Sequence, residues 1–222
     1  MKRAALHLFL SLLAGVRAAF SATVVVTASE DHSLRRGPTI EGGLHAKQSS
    51  NNSTDRVVMI RFDSSDLGPT VTAATFLITA NPDTVTQFQG TYDFRVYGVI
   101  DGDPQDEAFV EGGYDPSVAG SIYDDSANLV DEAQLVQLGD FTASAGTQVS
   151  LSTPALLSFL QADTNDIATL VIDRLTVGNN STFLDRGQAT PPRLQMEVIP
   201  EPGSVALMAL GGLLAGCRRR RR

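Results

Sequence analysis

Arg56-Val57-Val58-Met59-Ile60-Arg61-Phe62-Asp63 is the stretch that decides the fold class. Val58, Ile60 and Phe62 alternate with Met59 and Arg61, the period of two that places one side-chain set on each face of an extended strand. The pattern recurs along the chain. Tyr92, Phe94, Val96 and Ile100 form one face of residues 91–100, with Asp93, Arg95 and Tyr97 on the other, and Leu194, Met196 and Val198 alternate with Arg193, Gln195 and Glu197. Residues 71–80 and 168–172 are more continuously apolar and read as inner strands. Turn clusters at Asn51-Asn52-Ser53, Asn81-Pro82-Asp83, Asp101-Gly102-Asp103-Pro104 and Gly178-Asn179-Asn180 separate these segments. One helix fits the pattern. Ser152 or Thr153 caps it, Pro154 opens it, and Leu156, Leu157, Phe159 and Leu160 supply its apolar stripe before Asp163 ends it. The expectation is an all-β chain: a single antiparallel β-sandwich over residues 22–199 with one short helix. Ile60, Phe62, Leu77, Phe94, Val96, Ile172, Leu194 and Val198 are expected in its core.

With 222 residues, there is length for one sizeable domain. The formal net charge of −8 hides its distribution. Lys2, Arg3, Arg17 and Arg218 to Arg222 are eight of the 17 cations, so residues 22–217 hold nine cations against 25 acids. A body that acidic is repelled by phosphate backbones, which excludes nucleic acid as a partner class. The lone Cys217 lies near the C-terminus, so residues 22–199 contain neither a disulfide nor a thiolate metal site.

Both ends read as addresses. Lys2 and Arg3 precede an apolar stretch from Ala4 through Val16. Small residues follow, with Val16-Arg17-Ala18 and Ala19-Phe20-Ser21 as alternative cleavage sites, the order of a secretory signal peptide over residues 1–21. A first core helix is the competing reading. At the other end, residues 200–222 run Pro200-Glu201-Pro202, then an apolar helical segment from Val205 to Cys217, then Arg218-Arg219-Arg220-Arg221-Arg222. Thirteen apolar residues span about 20 Å of helix, short of the ~30 Å hydrocarbon core, and the terminal arginines resist translocation. This order resembles the bacterial PEP-CTERM sorting signal. The resemblance implies export, transient anchoring in the inner membrane, processing by an exosortase-type enzyme, and delivery to the cell surface or extracellular matrix. A plain membrane anchor without processing is the alternative.

The body carries a second resemblance. Residues 56–63, a short loop with Leu67, and then Val71-Thr72-Ala73-Ala74-Thr75-Phe76-Leu77 are similar to the core of DNRLRE-type modules, jelly-roll domains of exported bacterial proteins related to carbohydrate-binding modules. Tyr97-Gly98-Val99, Phe183-Leu184-Asp185-Arg186 and Pro192-Arg193-Leu194-Gln195-Met196-Glu197-Val198 fall where that family has its later segments. The tryptophan-bearing stretch usual after the middle strand is replaced by Asp106-Glu107-Ala108-Phe109-Val110-Glu111-Gly112-Gly113-Tyr114.

Three groups of residues bear on chemistry. Asp101, Asp103, Asp106, Glu107 and Glu111 are the densest set of hard oxygen ligands and are candidates for calcium, although their spacing is not that of an EF-hand and a solvated acidic loop is the simpler reading. Asp124 and Asp125 are a poorer second such group. Phe109, Tyr114 and Tyr123 lie in the loop-rich stretch and are the candidates for an aromatic platform that stacks on sugar rings. His32 and His45 lie in no metal-ligand spacing, and neither a Gly-x-Ser-x-Gly motif nor a phosphate-cradling loop occurs. Two functions stay open: a non-catalytic exported surface or matrix protein that binds polysaccharide, and an exported polysaccharide-acting hydrolase or lyase. A groove with an aromatic platform alone favours the first, and one holding carboxylates of displaced pKa favours the second.

Overall fold

The computed structural model describes residues 21–50, 54–68, 70–102, 106–118, 121–124 and 129–199. Residues 1–20 of the signal segment, the turn at 51–53, Asp103, Asp125 and the whole of residues 200–222 lie outside them. The strands are β1 (Ala22–Thr27), β2 (Glu30–Arg35), β3 (Thr39–Glu41), β4 (Leu44–Ala46), β5 (Arg56–Asp63), β6 (Val71–Thr79), β7 (Thr91–Val99), β8 (Leu135–Ser144), β9 (Gln148–Leu151), β10 (Ile167–Arg174), β11 (Ser181–Phe183) and β12 (Arg193–Val198). They form a four-stranded sheet, β1-β12-β6-β9, a six-stranded sheet, β3-β2-β5-β10-β7-β8, and a small β11-β4 pair. The pairings within these sheets are antiparallel. The expected all-β sandwich is the fold.

The main core lies between the two large sheets. Ile60, Phe62, Phe94, Val96 and Ile172 meet Phe76, Ile78, Leu194, Met196 and Val198 there. One end is closed by α1 (Pro154–Gln161). The Thr153 hydroxyl accepts the Leu156 N–H at 3.0 Å, Pro154 needs no donor in the first turn, and Leu156 and Leu160 are buried. Two expectations fail locally. Leu77 is only half-buried, because the register that pairs it with Arg193 turns it outward and aims Phe76 and Ile78 at the core. A continuously apolar run carries no parity signal, and one residue of slip exchanges the faces. Ile100 lies just past β7 and is 46% exposed.

The larger departure concerns the outer face of the six-stranded sheet. Simple alternation predicts half-buried strands, yet Met59 and Tyr97 are 0% and 3% exposed on the face opposite the main core. Leu34, Val57, Val99 and Val171 join them, and Phe109, Tyr114, Ile122, Leu129 and Val130 from the β7–β8 connection cover them in a second core. This cover is pinned by polar anchors. The fully buried Asp106 carboxylate accepts the Tyr114 hydroxyl and the Ile122 N–H, the latter at 2.9 Å. Arg61, paired with Asp63 at 2.7 Å, donates to the carbonyls of Ala108 at 3.1 Å and Phe109 at 2.9 Å. The Thr169 hydroxyl donates to the Glu107 carbonyl.

His32 of β2 sits at the centre of this second core. Its ring packs edge-on against Phe109 at 4.5 Å and tilted against Tyr114 at 5.2 Å, and neither ring nitrogen has a hydrogen-bond partner among the described residues. Burial lowers its pKa from 6.5 to about 4, because the protonated ring would lose its hydration. A histidine depressed on folding contributes stability that is complete above 6.5 and is lost as the pH falls towards 4. The loss amounts to about 3 kcal/mol at roughly 1.4 kcal/mol per pH unit. Asp31 next to it, raised to about 6 chiefly by burial, acts with the opposite sign, gaining stability as the pH falls. The difference between the wild type and His32→Leu in denaturant titrations at pH 7 and pH 4.5 therefore isolates the imidazole. The variant is expected to lose markedly less stability on acidification, and equal losses would show that His32 is not the acid-sensitive group.

Candidate metal centre and adjoining groove

Two loops converge at one end of the sandwich. The chain leaves β7 through Ile100 and turns at Asp101-Gly102, while Asp163, Thr164, Asn165 and Asp166 form the turn between α1 and β10. Asp166 adopts φ 66° to close that turn, and the Asp163 Oδ1 accepts its N–H at 2.9 Å. Thr164 donates its hydroxyl to Asp101 Oδ2 at 2.6 Å, and Asn165 donates its amide to Glu107 Oε2 at 2.8 Å. The Gly102 N–H reaches the same Glu107 oxygen at 2.9 Å. These bonds draw Asp101, Glu107 and Asp163 together, with one ligand oxygen from each within 4.8 Å of the others.

The electrostatics follow from that crowding. Glu107 is 1% exposed, and burial pushes its pKa up despite the two donors, with Asp101 and Asp163 adding repulsion. Asp163 is raised in the same way, by burial first and then by the Asp101 charge. Asp101 Oδ1 is buried and has no hydrogen-bond partner among the described residues. Three hard oxygens on two turns suit calcium, which accepts irregular carboxylate and carbonyl shells. Asp101, Glu107 and Asp163 are the residues fitted to hold such an ion.

A groove of about 360 Å³ runs from this cluster along α1, lined by Ile100, Val136, Ala155, Phe159 and Ala162 beside the carboxylates. Ile100 and the 43%-exposed Val136 leave apolar surface open to water there. Phe159 reaches the groove because position 98 is glycine: a Cβ on Gly98 would stand 2.5 Å from the ring. The structure thus joins an aromatic ring and three carboxylates at one place.

This site is not the one anticipated. Of the five acids taken as a calcium set, Asp101 and Glu107 come together, and Asp103 lies outside the described residues. Asp106 points inward to hold the cover, and Glu111 pairs with Arg186 at 2.8 Å. The third carboxylate is Asp163, which the sequence marked only as a helix end. An Asx-rich turn that follows a helix and precedes a buried strand was the available signal. The anticipated aromatic platform does not form. Phe109 and Tyr114 are 2% and 7% exposed and pack on His32, and the half-buried Tyr123 accepts the Gly37 N–H on its hydroxyl at 2.8 Å.

Relief of the carboxylate repulsion is measurable. A raised carboxyl loses folded-state stability as the pH rises through its ordinary range, so removing one charge helps at neutral pH. Asp163→Asn should melt higher than the wild type in chelator. Calcium, with dissociation expected at about 10⁻⁴–10⁻³ M, should raise the wild-type melting temperature and leave the variant unmoved. An equal calcium response in both would remove Asp163 from the centre.

Among the described residues, no helix is long and apolar enough to cross a membrane. No curated protein matches the chain. Residues 198–222 match the PEP-CTERM protein-sorting motif, which supports an exported protein sorted by an exosortase.

Proposed function

We propose that this is a non-catalytic surface or extracellular-matrix protein whose sandwich domain, akin to a DNRLRE-type jelly roll, binds polysaccharide in the groove along α1. Calcium at Asp101, Glu107 and Asp163 holds the rim. The observation that carries this reading is the placement of the Phe159 ring and the exposed Ile100 and Val136 beside the carboxylates. An aromatic face with an apolar flank accepts the C–H face of a pyranose, and the adjacent polar rim orients its hydroxyls. Export with exosortase processing would deliver the domain to the place where such polymers are found. During export the C-terminal segment anchors the chain in the inner membrane until it is cut.

A second reading, a polysaccharide-acting enzyme, draws support from the raised carboxyls of Glu107 and Asp163. Against it stands the geometry of Glu107: it is enclosed, and its Oε2 is committed to Gly102 and Asn165.

A glycan array probed with and without calcium decides between them. Retention on an unmodified polysaccharide is expected, weakened at least tenfold by Phe159→Ala at about 1.4 kcal/mol per decade. Release of shortened oligosaccharides that is abolished by Glu107→Gln would establish the enzyme instead. Mass spectrometry of the surface fraction addresses the sorting step. Mature protein should lack Arg218 to Arg222, and recovery of an intact Arg222 terminus would refute processing.

A further inference from the structure

Four strands end the two large sheets: β3 and β8 in one, β1 and β9 in the other. Three of these edges are protected against pairing with another chain. β3 has three residues and β9 has four. β8 is broken where the register against β7 shifts between Val96 and Tyr97, with Gly139 at φ 153°. Short strands and bulges are the usual means of blunting an edge. β1 has none of them. Its six residues, Ala22-Thr23-Val24-Val25-Val26-Thr27, include no charge, proline or glycine, and their register with β12 is unbroken.

The hydrogen-bonding sense of this edge follows from one bond. The Ala28 N–H donates to the Pro192 carbonyl at 3.0 Å, continuing the register that pairs Thr27 with Arg193. In an antiparallel ladder the backbone groups of alternate residues point to opposite sides. Ala22, Val24, Val26 and Ala28 therefore face β12, while the N–H and C=O groups of Thr23, Val25 and Thr27 point away from it. Among the described residues these groups meet no strand. The side chains divide correspondingly: Val24 and Val26 pack on the main core, and Val25 is 53% exposed.

Charge indicates the occupant. Residues 22–199 hold nine cations and 24 acids, so two copies repel over most of their surfaces. The four-stranded sheet is the exception, because β1, β12, β6 and β9 together contain one cation, Arg193, and one acid, Glu197. We propose that β1 is a docking edge for a second copy of this chain. Two β1 strands pair antiparallel about a two-fold axis, uncharged against uncharged, and make one eight-stranded sheet, β9-β6-β12-β1-β1-β12-β6-β9. A two-fold contact closes on itself, so it yields dimers and no fibre. The interface is a ladder of main-chain bonds with a modest valine contact, the size class of weak association that confinement at a surface strengthens.

Sedimentation velocity of the full chain in detergent micelles over a wide concentration series tests this. A concentration-dependent dimer is expected. Val25→Pro removes an outward N–H that β12 does not use, and Val25→Lys places a charge on an exposed side chain without touching the backbone. Each should raise the dimer dissociation constant at least tenfold with little change in melting temperature. Should Val25→Pro fail to fold, Val25→Lys decides. Val25→Cys combined with Cys217→Ser should cross-link to itself through a short bismaleimide. A chain that stays monomeric, or a dimer indifferent to both Val25 substitutions, overturns the proposal. So does a monomer whose Val25 amide is protected from hydrogen exchange, since the edge would then be filled by the chain's own residues.

Discussion

Water reaches neither face of β5 at Val57–Ile60 or of β10 at Ala168–Ile172, and much of the molecule is arranged around that exclusion. Val58, Ile60, Leu170 and Ile172 close on the opposite sheet, while Val57, Met59 and Val171 need a second covering layer. Among the described residues, the β7–β8 connection supplies it with no strand or α-helix of its own beyond the 3-10 turn Glu132–Gln134. Stripping it away would expose Leu34, Val57, Met59, Val99 and Val171 at about 1.5–3 kcal/mol each, on the order of 10 kcal/mol in sum. That equals the whole stability of a typical domain. The connection is therefore a wall of the fold, and its buried anchors, Asp106 above all, are structural groups.

The same demand sorts the acids. Asp106 and the Asp101–Glu107 pair, all in the connection, end in opposite roles. Asp106 faces inward as the acceptor for the Tyr114 hydroxyl and the Ile122 N–H. Asp101 and Glu107 fall at the margin, where the connection starts, and the turn after α1 brings Asp163 against them. The candidate centre thus arises where the second core ends and three carboxylates gather with too few donors. Gly98 adds the other half by leaving space for Phe159 above β7.

Strand alternation made the sandwich, its helix and most of the main core legible, because those features follow from periods of two and 3.6 in consecutive residues. Thr153, Pro154, Leu156 and Leu160 behave as their order implies. Leu77 was misplaced because its run is apolar on both parities. Met59 and Tyr97 carried no mark of burial, since their cover lies some fifty residues away from one and begins only after the end of the other's strand. Phe109 and Tyr114 looked like free loop aromatics for the same reason: composition reports that a ring is in a loop, and only the fold reports that the loop is a layer. Asp163 was visible as a turn residue, but its meeting with Asp101 depends on how α1 and β7 end side by side.

The pairing of Ala22 with Val198 has a consequence for how the domain is carried. Both ends of the folded body leave from one corner, and the groove is at that end too. Gln161 at the foot of α1 donates to the Val71 carbonyl at 2.7 Å, and Val71 lies opposite Val198. In the proposed route, a membrane-held segment after Ile199 would keep this corner, and the groove with it, as the part of the body nearest the attachment point, the side least open to a long polymer. Under that proposal, removal of the segment would open the groove in the same step that releases the domain.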